Sequence, residues 1–488
     1  MKRTNSQYTL YRAFTTGREY FQLLDDLGPI IDAIATDPQW QKRFIKYLFG
    51  KKKKSNRGPK GHDIVFIIRL ILVQCITRKD YRELAALIRD SEALKHFLEI
   101  KGVPDANLPE FQTISGWIKK LPPEFFEEIN WHLVKKEGKE NLEMDLEDWR
   151  ADATVVESNI HYPTDSALLN DALRWMFRWI EQMREDLGIK SRMNIEELTF
   201  KKAKKIYLLI LKIKGFKPKQ KKQRKKMYRE LIELTEQIMM HFERHVEKGR
   251  KGEIFCAIES PLDYAKFVGM LEEWDRLKPL IEQAIDQAKK RVLKGKKIEN
   301  DDKLLSLWEE HTRVIIRGKS GVPCEFGHKI TLWESAEGLI LCGDVYKEGN
   351  PSESKVIEDE IKELKRHDMP IIDVSVDRGY WNEKKLKEIM IDENITIYCP
   401  KKGKRDVERT EYEHSEKFKE KQRFRAGIEG SISVLVRRHA LRRSRLKKWD
   451  GFNRHVQMCI IGMNLLRLLD WKKRQEFIKN QKELALLQ

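Results

Sequence analysis

The chain has 488 residues and a formal net charge of +19, from 96 Lys and Arg against 77 Asp and Glu. Charged residues make up 35%, above the ~25% of an average globular protein, and apolar residues make up 40%. With 12 Trp, 20 Phe and 13 Tyr to bury, this excludes a wholly disordered chain and a coiled rod, and the basic excess points to a polyanionic partner, nucleic acid first.

Met1 to Phe14 has no apolar core of the kind a secretory signal needs. Residues 1 to about 50 read as helical, with Leu23, Leu24, Leu27, Ile30, Ile31 and Ile34 near helical spacing. A breaker follows at 50–61, where Gly and Pro interrupt a run that includes Lys51, Lys52, Lys53 and Lys54. A helix restarts after Asp63 as N-cap. Its apolar run, Ile64 to Ile76, is broken by Arg69 and is too short to span a bilayer. No membrane partner is expected. Short helices follow at Tyr81–Arg89, Glu92–Leu98 and Thr113–Leu121, the last stopped by Pro122-Pro123. They fit either a helix-turn-helix DNA reader at about 81–121 or an ordinary helical subdomain.

At 144–157 β-branched residues appear and a strand is expected. From Thr164 to about Trp308 the pattern is helical. Within it, residues 201–229 carry fourteen Lys or Arg and no acid, including Lys221, Lys222, Arg224, Lys225 and Lys226. This block is either a solvated cationic face or a phosphate-contacting one. Strand signals return at 314–316, 326–333, 338–346, 371–376 and 395–399, with a helix at about Ser352–Lys365. A long helix is expected over about His414–Arg443, and a last apolar one over Val456–Leu469. Arg437, Arg438, Arg442 and Arg443 form a second basic cluster. A mixed sheet with helices on its faces, an α/β fold, accommodates this order. Six cysteines without a C-x-x-C pair fit free thiols in a reducing cytoplasm.

Three acids stand out. Asp377 ends a strand that reads as buried, where ligands bind in open α/β sheets; it is equally placed to cap the next helix, near Trp381. Asp152 lies in the first strand. Glu429 sits beside the apolar stripe Ile428, Ile432 and Leu435, between Gly427 and Gly430. Two glycines inside a helix suggest close approach of backbone or ligand. Glu429 also has the spacing to pair with Arg425, one turn back. Carboxylates gathered together repel, and a divalent cation relieves that; an all-oxygen set suits Mg²⁺ or Mn²⁺. Glu157, Asp165, Asp344 and Asp373 are rival acids. Gly318-Lys319-Ser320 lacks the glycines of a phosphate loop, and His241 with His245 lacks the catalytic Glu of a zinc-protease helix.

These residues carry a resemblance. The segment from Asp152 through His161 to Asp165 resembles the first-aspartate segment of bacterial and archaeal insertion-sequence transposases of the DDE type. Asp373-Val-Ser-Val-Asp377-Arg-Gly-Tyr380 resembles their second, and Arg425-x-x-x-Glu429 their glutamate helix. Residues 317–329, Gly349-Asn350-Pro351-Ser352 and the Tyr81 and Thr113 regions are also similar. The resemblance implies an RNase H-like core in which Asp152, Asp377 and Glu429 bind two Mg²⁺ (or Mn²⁺), with Arg425 in support. It implies cleavage at element ends and strand transfer into target DNA, by a homodimer on double-stranded DNA with terminal inverted repeats, in the cytoplasm at the nucleoid. Alternatives are a related nuclease without strand transfer and a non-catalytic DNA-binding derivative. Some relatives carry Tyr and Lys where this chain has Gln422 and Val436. The expected organisation is a helical DNA-binding region at 1–140, the core at 141–165 and 311–475, a basic helical insertion at 166–310 and a tail at 476–488. The lysines at 51–54 and 221–226, with the arginines at 437–443, are the expected DNA contacts.

Overall fold

The computed structural model describes residues 18–50, 62–100, 102–187, 193–215, 217–251, 260–316, 324–348 and 351–486. Lys51 to Lys54 therefore lie outside the described residues, as do the resemblance segments at 317–323 and 349–350. The chain divides into two compact units, residues 1–158 with 327–488, and residues 159–326.

The first unit opens with helices α1 (Arg18–Ala35), α2 (Pro38–Phe49), α3 (Ile64–Thr77), α4 (Tyr81–Asp90), α5 (Glu92–Phe97), α6 (Phe111–Lys120) and α7 (Pro123–His132). Asp37, Asp63, Asp80 and Ser91 cap α2 to α5 through their side chains. α3 is apolar because it is central: ten of its own residues, Phe66 to Ile76 apart from Arg69, are buried. Arg69 is buried too, with Asp32 at 2.8 Å and Glu99 at 2.7 Å as counter-charges. On α6, Ile114, Trp117 and Ile118 face inward while Gln112, Thr113, Lys119 and Lys120 face solvent. Pro123 opens α7 rather than only ending α6, since proline suits the first helical position. α7 was not anticipated from the sequence.

Strand β1 (Asp148–Glu157) follows. The second unit then contributes α8 (Asp165–Leu187), α9 (Met193–Lys212), α10 (Pro218–Arg250), α11 (Pro261–Ala288) and the short strand β2 (Arg313–Ile315). Its core is its own: Trp175, Leu231, Phe242, Trp274 and Ile281 pack together, with Phe242 and Trp274 rings 4.8 Å apart. Buried Asp165 is held by Arg291 and Gln287, each at 2.9 Å.

The first unit resumes with β3 (Glu325–Ser335, assigned to it from Gly327), β4 (Ile340–Val345), α12 (Glu353–Arg366), β5 (Asp373–Ser375), α13 (Glu383–Asp392), β6 (Thr396–Tyr398), α14 (Val407–His414), α15 (Glu416–Ala426), α16 (Ile428–Arg438) and α17 (Lys448–Leu486). The fold is mixed α/β. Within this unit the strand order is β4-β3-β1-β5-β6, antiparallel from β4 to β1 and parallel from β1 to β6. β1 is therefore central, and Trp149 and Ala151 on one of its faces are fully buried. One core runs from Leu24 on α1 through Trp149 and Trp333 to Leu469 on α17. The single helix expected at about 414–443 is broken at Gly427, and the last helix extends through the expected tail to Leu486.

Candidate active site

Asp152 lies in β1, two residues beyond Arg150 on the same face, because side chains alternate along a strand. Asp377 stands just past the C-terminal end of β5, and β5 pairs directly with β1. Its Oδ1 accepts the Gly379 amide at 2.7 Å, capping the short turn Arg378–Tyr380. Asn382, not Asp377, caps the helix that follows. The expected capping of that helix by Asp377 therefore does not hold; Asp377 caps the short turn with one oxygen, and its other oxygen takes no part in it. Glu429 stands in the first turn of α16.

The three carboxylates meet on one guanidinium. Arg425 Nη2 is 3.3 Å from Asp152 Oδ2 and 3.7 Å from Asp377 Oδ2, and its Nη1 is 3.5 Å from Glu429 Oε1. Arg425 is 16% exposed, Asp152 19%, Asp377 38% and Glu429 69%, so the cluster grades from buried to open. Burial pushes the Asp152 carboxyl above its ordinary range, against the pull of Arg425; Asp377 and Glu429 add to the rise. One oxygen of each aspartate is fixed by a backbone amide, Ala153 N–H at 2.7 Å for Asp152 and Gly379 N–H for Asp377. The other oxygen of each faces Arg425.

The rival acids have other partners. Asp373 binds Lys421 at 2.8 Å, Asp165 binds Arg291, and Glu157 lies 3.2 Å from Arg443. Gln422 donates to Tyr398 O at 2.9 Å, seating α15 over the end of β6. Gly427 bears out the close approach expected of it: a Cβ there would lie 2.2 Å from an Arg150 nitrogen. Gly430 does not, having nothing within 4 Å.

Of the expected DNA contacts, Arg437 and Arg438 are exposed in the last turn of α16, and Arg442 and Arg443 in the segment after it. The Glu157 and Ser444 backbones bond there, at 2.8 Å, beside the end of β1. Lys221, Lys222, Lys225 and Lys226 are exposed on the first turns of α10, in the other unit. Arg224 is partly spent on structure, donating to Ile213 O and Gly215 O in the turn between α9 and α10.

Sequence reasoning missed two polar groups near the acids. Glu353, directly after the Gly-Asn-Pro-Ser segment, takes Lys329 at 2.5 Å, and its other oxygen would lie 3.3 Å from a Cβ at Gly379. Arg150 reaches under Gly427. Its signal was the strand period, which puts it beside Asp152.

Residues 325–465 match the family model described as Transposase DDE domain. This stretch is similar to a transposase DDE domain. It contains Asp377, Arg425 and Glu429; Asp152 precedes it in sequence and joins them through β1. Comparison with curated proteins and with solved structures gives no match. Among the described residues no group of three His, Cys, Asp or Glu side chains forms a ready-made metal cage. The positive charge between the three acids is that of Arg425. The donors are nonetheless all carboxylate oxygens, the chemistry that suits Mg²⁺ and Mn²⁺.

Proposed function

We propose that the chain is an insertion-sequence transposase that cuts DNA phosphodiesters at element ends and joins those ends to target DNA. The observation that carries this is the convergence of Asp152, Asp377 and Glu429 on Arg425, from three elements of one unit whose later part matches a DDE domain. The strand pattern around β1, with the first acid on the central strand and the second after the neighbouring parallel one, supports the RNase H-like reading.

Asp152, Asp377 and Glu429 are the residues that would hold two Mg²⁺ or Mn²⁺. Such ions, when bound, activate an oxygen nucleophile and stabilise the leaving oxygen. The backbone amides of Ala153 and Gly379 orient the aspartates. Arg425 offsets part of their charge. The exposed arginines 437, 438, 442 and 443 supply cationic groups for phosphates without reading sequence. α6, with Gln112, Thr113 and Lys119 outward, is the helix we assign to reading base edges. Paired element ends call for paired sites, hence a homodimer.

The test uses the full chain with double-stranded end oligonucleotides and a target plasmid. Mg²⁺-dependent cleavage and joining are expected. Asp377→Asn should lower both by at least ~10³-fold while DNA binding stays within about twofold. Cleavage without joining would favour the nuclease reading. Cleavage that survives Asp377→Asn removes the site assignment.

A further inference from the structure

Beside the carboxylates a second polar network meets the α15–α16 junction. Arg150 Nε donates to Glu334 Oε2 at 2.8 Å, across the β1–β3 pair where the two residues stand directly opposite. Arg150 Nη1 donates to Phe424 O at 2.5 Å, and its guanidinium lies 4.6 Å from the Phe424 ring centre. Glu334, 1% exposed, accepts with its other oxygen from Ser431 Oγ at 2.5 Å. Arg467 from α17 donates to the same Ser431 oxygen at 3.3 Å.

Three members stand within two residues of the proposed site in sequence. Arg150 is two residues before Asp152. Phe424 precedes Arg425. Ser431 is two residues after Glu429. The glycine at 427 leaves the space through which the guanidinium reaches the end of α15. A charged hydrogen bond to a backbone carbonyl and a buried ion pair fix position more tightly than apolar contact does, since both lose their partner on a small shift.

We propose that Arg150 and Glu334 are positioning residues that lock the helices bearing Arg425 and Glu429 against the strand bearing Asp152. This rests on the proposed active site for its consequence, though not for the lock itself. Neither residue touches DNA or the ions in this account. They act by holding the carboxylates at the spacing that Mg²⁺, with its strict geometry, demands.

Removing one partner alone would leave a buried charge unpaired. The main variant is therefore the near-isosteric pair Arg150→Met with Glu334→Gln, made in the full chain. Arg150→Lys is the second variant; it keeps a cation for Glu334 but lacks the planar fork that also reaches Phe424 O. Amide exchange across 424–431 reads the lock directly, and Mn²⁺ titration of the DNA-free protein by calorimetry reads its consequence. In a folded variant we expect exchange about tenfold faster there, Mn²⁺ binding about tenfold weaker, and DNA binding unchanged. Wild-type exchange and wild-type Mn²⁺ affinity in either folded variant overturn the proposal. If the wild-type chain binds no Mn²⁺ and cuts no DNA while exchange still rises in the variant, the lock stands and the active-site reading fails.

Discussion

Arg425 does at residue scale what a cation does in an occupied carboxylate site. It is 16% exposed and within 3.3–3.7 Å of three acids. Arg425→Gln removes the charge that offsets their repulsion and adds to the upward push on Asp152. The ion-free variant should lose about 1–2 kcal/mol, because two of its partners are partly solvated. Mg²⁺ should then raise its melting temperature more than it raises that of the wild type; an equal rise would mean that Arg425 and the ions do not share the acids. The two helix glycines separate cleanly. Gly430 has open space, so Gly430→Ala should stabilise by up to about 1 kcal/mol without affecting cleavage. Gly427→Ala drives a methyl into Arg150 and should destabilise. Glu337 offers a pH test. Burial, with Asp145 and Asp148 nearby, raises its carboxyl to about 7. Its folded value exceeds its unfolded one, so its contribution is complete below about 4.5 and is lost as pH rises through 7. Glu337→Gln should accordingly melt higher than wild type at pH 8, with the gap narrowing as pH falls and closing below about pH 4. Asp377 and Glu429 carried local signals in the sequence, a strand end and a helix glycine; Asp152, inside its strand, stood out from its rivals only through the resemblance. The partners of Arg150 and Glu353 were not: both depend on pairings across distant elements, which no local pattern encodes.

At the scale of elements, legibility followed the number of local signals. Expected strands at 326–333, 338–346 and 395–399 fall within two residues or so of β3, β4 and β6, since each is a β-branched or aromatic run between turn residues. The helix at Ser352–Lys365 is displaced by one residue, with Ser352 outside it. The break at Gly427 was hidden because periodicity continues across it; what ends α15 is the arrival of Arg150, a tertiary event. α7 was missed because Pro122-Pro123 read only as a stop. The basic block is the element whose role the sequence leaves open. Its lysines are solvent-facing on α10, as both readings require. Replacing Lys221, Lys222, Lys225 and Lys226 with Gln decides between them through salt dependence. If each holds one phosphate, the slope of log K against log salt should shrink by roughly 3–4. A solvated face would leave the slope unchanged.

At whole-molecule scale, the second unit enters the chain at the tip of a strand pair. Glu157 on β1 and Gly327 on β3 stand directly opposite in an antiparallel register. Everything from 159 to 326 is therefore inserted where a two-residue turn would suffice. The segment has its own buried aromatic core and internal ion pairs. Helical insertion was visible in composition, since strand signals vanish between 164 and 308 while a dense run of Lys and Arg appears at 201–229. Joining Glu157 to Gly327 through Asn-Gly should give a chain that folds with β1 and β3 paired, because a type I′ turn matches the twist of antiparallel strands. Residues 159–326 expressed alone should melt cooperatively as a helical protein. Circular dichroism on both pieces checks this. Two cooperative transitions, near those of the intact chain, are expected. An uncooperative melt of the shortened chain would mean that the sheet needs the inserted unit to hold its register, and that the two units are one folding domain.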